Sequence, residues 1–164
     1  MTTPVEAKTP SPTVRLAAGG VPEEMKGYRS WVCWRYERRD GKHTKVPYDA
    51  RSAKRASSTD MRTWASFDEA VATYERVGYD GVGFVLSSGD PYAMVDLDQC
   101  RNPETGEIEG WAREIVGDAD GYAEVSPSGT GVHVLVRGKA PNRKRGRVEA
   151  YSDRRFVTVT GRAL

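Results

Sequence analysis

The stretch Tyr92-Ala93-Met94-Val95-Asp96-Leu97-Asp98 reads as a β-strand that carries two acids one residue apart. Successive side chains of a strand point to opposite faces, so Asp96 and Asp98 share a face while Val95 and Leu97 point into a core. Two like charges side by side on a rigid element repel. A divalent cation held by their oxygens would offset that repulsion, and Mg²⁺ and Mn²⁺ suit such ligands and hold phosphates as well. An acidic pair at a solvated strand end is the plainer reading of the same residues.

The pair lies in the acidic middle of a chain of 164 residues and net charge +2. Residues 66–126 hold fourteen Asp and Glu against three Lys and Arg. On either side the balance reverses: eleven basic against four acidic over residues 26–62, and nine against two over 137–162. Basic segments flanking an acidic centre fit a polyanion such as nucleic acid held beside a metal-dependent site. Three solvated surfaces of differing sign would give the same counts. The length suffices for one domain with a real core. The apolar runs are too short for a membrane helix, and the N-terminus lacks the pattern of a signal peptide. Cys33 and Cys100 form no CxxC pair, which points to a reducing, cytoplasmic setting and away from a zinc knuckle.

Outward from the acidic strand, local signals predict an α+β chain. Residues 1–14 are rich in Thr and Pro and read as a disordered leader; the fold begins near Val21, setting residues 1–20 apart from a domain over 21–164. Residues 28–36 are aromatic and β-prone, Asp40-Gly41 is a hairpin turn, and residues 44–48 return as a second strand. Trp31, Trp34 and Tyr36 suit a core better than a base-stacking surface. Residues 49–62 form a polar, basic loop. Ser66-Phe67-Asp68-Glu69 is a capping box opening a helix whose apolar face is Phe67, Ala70, Val71, Tyr74 and Val77, stopped by Gly78. Gly81–Leu86 and residues 92–98 read as two adjacent strands joined by a turn at 87–90. A short helix is expected over about 109–119, with Trp111, Ile115 and Ala119 on one face. Four more strands are expected at 122–125, Val132–Arg137, Val148–Tyr151 and 156–160.

Two further motifs follow the acidic pair. Ser126-Pro127-Ser128-Gly129-Thr130-Gly131-Val132-His133 brings two glycines and three hydroxyls straight into a strand. Glycine lets backbone N–H groups approach an anion closely, so Ser126, Ser128, Gly129, Thr130 and Gly131 could cradle a triphosphate. No Gly-Lys-Ser/Thr occurs, so it is not a P-loop, and a tight hairpin is the alternative. His133 alternates with Val132, Val134 and Val136 and shares its face with Leu135, where it could donate to a phosphate oxygen or fill a structural place. Glu149 interrupts an apolar stretch after the basic run Arg143-Lys144-Arg145-Gly146-Arg147. It could be a third carboxylate for a metal site or a partner for one of those cations.

In this order the motifs resemble the primase–polymerase domains of the archaeo-eukaryotic primase superfamily, in particular those at the N-termini of phage and plasmid replication proteins. The matching elements are Val95-Asp96-Leu97-Asp98, Ser128 through His133, and Val148-Glu149, with flanks such as Trp31-Val32-Cys33-Trp34 and Arg155-Phe156-Val157-Thr158. The resemblance covers roughly residues 25–162. It implies an RRM-like catalytic palm packed with a smaller N-terminal α/β unit, the active site lying in the cleft between them. It further implies that Asp96, Asp98 and Glu149 hold Mg²⁺ or Mn²⁺, and that Ser128, His133 and the Gly129–Gly131 backbone contact the triphosphate of a dNTP or NTP, with Arg155 nearby. Lys45, Arg51, Lys54, Arg55, Arg143, Lys144, Arg145 and Arg147 are then candidates for contact with a DNA template and primer. Relatives often continue into a helical accessory segment and a helicase, which are the expected further partners. The implied activity is extension of a primer in phage or plasmid replication, in the host cytoplasm. A catalytically silent single-stranded DNA-binding module is the competing expectation. An initiator nuclease linked through Tyr151 ranks last, because His43 and His133 are far apart and no His-x-His occurs.

Overall fold

A computed structural model describes residues 13–164. Nine strands succeed one another: β1 (Trp31–Arg39), β2 (Lys42–Tyr48), β3 (Gly81–Leu86), β4 (Tyr92–Leu97), β5 (Ala123–Val125), β6 (Val132–Arg137), β7 (Arg143–Arg145), β8 (Val148–Tyr151) and β9 (Arg155–Val159). The helices are α1 (Glu23–Lys26), α2 (Phe67–Thr73) and α3 (Gly110–Ala119). The α+β expectation therefore stands. The strands form two antiparallel sheets, one ordered β2-β1-β3-β9 and the other β5-β6-β4-β8-β7.

Local chemistry accounts for most element ends. Asp40 and Gly41 take φ of 50° and 75°, the turn geometry whose twist suits a two-residue hairpin between β1 and β2. Ser66 accepts from the Glu69 N–H at 3.1 Å while the Glu69 carboxylate accepts from the Ser66 N–H at 3.0 Å, closing the capping box at the start of α2. After Thr73 the helix widens into a π-turn over Tyr74–Gly78. The extra residue in that turn rotates Val77 off the apolar face, and Val77 is 55% exposed where burial was expected.

The two sheets share a core. α3 lays Trp111, Ile115 and Val116 on the face of the five-stranded sheet formed by Val95, Leu97, Val132 and Val134. The opposite face sends Tyr92, Met94 and Leu135 into the main cluster with Trp31, Phe84 and Leu86 of the four-stranded sheet and Phe67 and Ala70 of α2. Trp31 and Trp34 are buried, as expected, and each donates its indole N–H to a backbone carbonyl, Trp31 to Met25 and Trp34 to Val82.

Three expectations need correction. β3 and β4 are not sheet neighbours: Asp90 folds the connection by accepting the N–H groups of Ser87 and Tyr92, and the chain crosses from one sheet to the other. The smaller sheet is not built from the N-terminal half alone, because β9 pairs along β3. Residues 14–20, expected as part of the leader, are tied into the fold. Residues 1–12 lie outside the described residues, but Val14 donates to the Pro127 carbonyl and Ala17 to the Thr160 carbonyl, and Ala18–Gly20 forms a 3-10 turn. Leu16 and Ala18 supply the apolar contacts that fix this segment.

Candidate active site

Strand register draws five ionisable residues into one line across the larger sheet. Glu124 of β5 pairs with His133 of β6, His133 with Asp96 of β4, Asp96 with Glu149 of β8, and Glu149 with Lys144 of β7. Directly opposed residues of antiparallel strands share a face, so all five side chains stand on the side away from α3. The apolar half of this face is covered by the smaller sheet. The polar half opens into a cavity of about 610 Å³ between the sheets. One wall carries Asp96, His133, Glu149 and Tyr151. The other carries Lys45 of β2 and Arg155 of β9, with Ser57, Ser58 and Arg154 from loops at its rim.

The charges facing this cavity are coupled. His133 places Nδ1 3.1 Å from Glu124 and Nε2 3.7 Å from Asp96. Lys144 holds the Glu149 carboxylate at 3.0 Å, and this bond raises the lysine above its ordinary value. Burial pushes the Asp96 carboxyl up; His133 and Lys45 pull it down, and Asp98 and Glu149 push it up again. Burial lowers Lys45 across the cavity, with Asp96 and Asp98 opposing. Burial is thus the largest influence at Asp96, with cations and acids around it acting in opposite directions.

The sequence-predicted residues are divided by this geometry. Asp96, His133, Glu149, Lys45 and Arg155 line the cavity together. Asp98 lies just beyond β4, exposed, its N–H donating to the Arg147 carbonyl, and it reaches Asp96 only through its charge. The loop of Ser126, Ser128, Gly129, Thr130 and Gly131 does not line the cavity. It is a β5–β6 hairpin whose hydroxyls bond one another: Ser126 with Ser128 at 3.1 Å, Ser128 with Thr130 at 2.8 Å, and Ser126 with the Gly131 N–H at 3.1 Å. Lys45 faces Asp96 rather than joining Arg51, Lys54 and Arg55, which sit on the loop leading to Ser57. Strand alternation splits the basic run. Lys144 stands on the cleft side, while Arg143 and Arg145 pair with Ala150 and Val148 and so share the α3 side. Arg147 lies over the Trp111 ring of α3 at 4.6 Å.

Sequence reasoning missed Glu124. Its side chain is fully buried, it accepts from the Tyr122 hydroxyl and the backbone N–H groups of Thr160 and Gly161, and it lies 3.1 Å from His133 Nδ1. The available signal was an acid on the cleft-facing parity of an otherwise apolar strand. The oxygen donors of Asp96, Asp98 and Glu149 fit a hard divalent cation in kind. No group of three or more acidic, His or Cys side chains is drawn together tightly enough to hold a metal among the described residues.

No protein-family model matches the chain. Over 145 residues it is 39% identical to the DNA primase-polymerase of Nitratiruptor phage NrS-1. The match takes in 84% of this chain and 20% of that protein, so the chain spans about a fifth of its relative's length. The resemblance to phage primase–polymerase domains, read first from three short motifs, is shown by this similarity. No helix among the described residues is long and apolar enough to cross a membrane.

Proposed function

We propose that this chain is the catalytic domain of a DNA primase–polymerase, a nucleotidyltransferase that adds nucleotides to a primer 3′-hydroxyl on a DNA template during phage or plasmid replication in the host cytoplasm. The observation that carries this reading is the register that sets His133, Asp96 and Glu149 side by side on the wall of a cavity whose other wall is cationic. In this reading the five-stranded sheet with α3 behind it is the palm, related to the RRM fold.

Phosphoryl transfer needs positioning and charge neutralisation more than a covalent catalyst. Asp96, Asp98 and Glu149 would hold Mg²⁺ or Mn²⁺, which when bound lowers the pKa of the 3′-hydroxyl and neutralises the departing pyrophosphate. His133 offers Nε2 on the same wall, within reach of a phosphate oxygen. Lys45, Arg154 and Arg155 supply positive charge opposite, so a triphosphate would lie between the acidic and basic walls. This placement favours the cavity over the Ser126–Gly131 hairpin for the phosphates, because the hairpin's hydroxyls are spent on one another.

Primer extension with Mg²⁺ or Mn²⁺ and either dNTPs or NTPs tests the proposal. Wild type is expected to extend the primer, and an Asp96→Ala/Asp98→Ala variant to lose extension completely. The lysine held by Glu149 and the absence of a tight acidic cluster favour the second reading, a silent single-stranded DNA-binding module. DNA binding by wild type with no extension under either metal would establish that module instead.

A further inference from the structure

We infer that Glu124 is the positioning residue for His133: it fixes the proton on Nδ1 and turns Nε2 into the cavity, toward Asp96 and the phosphates of an incoming nucleoside triphosphate. The inference rests on the proposed nucleotidyl transfer for its substrate, but not for its geometry.

An ionised carboxylate only accepts hydrogen bonds. Glu124 is surrounded by four groups at bonding distance: the Tyr122 hydroxyl at 2.6 Å, the Thr160 N–H at 3.0 Å, the Gly161 N–H at 2.9 Å and His133 Nδ1 at 3.1 Å. Three of these are donors by their chemistry. The fourth is matched only if Nδ1 also carries a proton. Two of the donors belong to the backbone just after β9, so the carboxylate cannot swing away. The imidazole is therefore fixed from behind by a group that is itself fixed.

A buried carboxylate is costly unless its bonds repay the lost water, and an apolar residue would fill β5 as well from packing alone. Glu124 stands directly opposite His133 in the β5–β6 register, and His133 directly opposite Asp96. The line therefore runs from a fully enclosed acid, through an imidazole, to the acid that faces the cavity. His133 Nε2 is the one ring nitrogen left to meet substrate, and its direction is set by Glu124.

Nitrogen-15 NMR of the histidine side chains reads the arrangement without any assay of turnover. Wild type is expected to show His133 with Nδ1 protonated, and Glu124→Gln to shift that pattern, because an amide cannot accept from all four donors. The kcat/KM for the incoming nucleotide is expected to fall ~10–100-fold in Glu124→Gln, by analogy with the loss of the partner that orients a metal-bound imidazole. His133→Ala is expected to fall at least as far, and the Glu124→Gln/His133→Ala double variant no further than His133→Ala. Tyr122→Phe removes one donor to Glu124 and leaves the histidine bond; it is expected to keep both the His133 spectrum and kcat/KM. Additive losses in the double variant would make Glu124 a scaffold residue only and overturn the inference. A wild-type spectrum with the neutral proton on Nε2 overturns it even if every variant fails to fold. Absence of nucleotide incorporation by wild type would count against the proposed function alone, since the spectrum still reports the Glu124–His133 pairing.

Discussion

At Asp96, burial and two neighbouring acids act in one direction and two cations in the other, with burial the largest influence. The folded carboxyl therefore titrates above its value in the unfolded chain. A group raised in this way costs stability once it ionises, so the metal-free protein loses stability as pH climbs from the ordinary carboxylate range through the raised value. Asp96→Asn removes that cost. Because the side chain is only half-buried, the gain is small: roughly 0.5 kcal/mol after allowance for solvent screening, or ~1–2 °C in Tm for a chain of this size. Melts of the metal-free protein are expected to show Asp96→Asn above wild type at pH 7 and level with it near pH 3, while extension activity is abolished. A variant melting well below wild type at pH 7 would mark Asp96 as a structural acid. Asp98→Asn should lose turnover with little change in Tm, since Asp98 is exposed and touches Asp96 only through its charge.

The β5–β6 hairpin shows what glycine does at the scale of an element. A Cβ at Gly131 would lie 2.8 Å from the Leu97 carbonyl oxygen and 3.1 Å from Ser126 Oγ, so β6 would have to draw back from β4 at the very place where His133 meets Asp96. Gly131→Ala is expected to cost ~2 kcal/mol by overpacking, roughly 4–8 °C in Tm. A melt within 1 °C of wild type would show that the strands can part without penalty. The glycines of this loop were legible in the sequence, but their reasons were not: Gly131 permits close strand approach, Gly129 takes a positive φ of 78° in the turn, and the hydroxyls around them are satisfied internally. The same contrast runs through the fold. The Asp40-Gly41 turn, the capping box at Ser66 and the face of α3 were readable because each is decided within a few residues. The separation of β3 from β4, the return of β9 to β3 and the strand β7 were not, because pairing partners are chosen by burial across the whole chain. Among the residues of the charged row, Asp96, His133 and Glu149 were readable as motifs. Glu124 was not, since an isolated acid in a three-residue strand acquires meaning only from what lies opposite it.

Across the whole molecule, the two basic segments read from composition do not form one continuous surface. The loop carrying Arg51, Lys54 and Arg55 runs into Ser57 and Ser58 at the rim of the cavity, and Arg55 is tied to β2 by a bridge to Tyr48. Arg143 and Arg145 project from the opposite face of the larger sheet, beside α3. A single strand lying along the cleft would meet the first group and miss the second. Each phosphate contact contributes to the fall of affinity with salt, with a slope of about −0.7 per contact for single strands. Lys54→Ala/Arg55→Ala is therefore expected to make the slope of log affinity against log salt shallower by ~1.4, measured by fluorescence anisotropy of a labelled single-stranded oligonucleotide. Arg143→Ala/Arg145→Ala is expected to leave that slope within ~0.3 of wild type. The reverse result would place the nucleic acid on the α3 side. It would separate the DNA from the row of Glu124, His133, Asp96, Glu149 and Lys144, and so deprive the cavity of its template. Equal losses from both pairs would mean that the chain wraps the edge of the larger sheet, with Lys144 at the bend. Only the first outcome keeps the primer terminus, the acidic wall and the basic rim on one side of the molecule, as the proposed transfer at Asp96 requires.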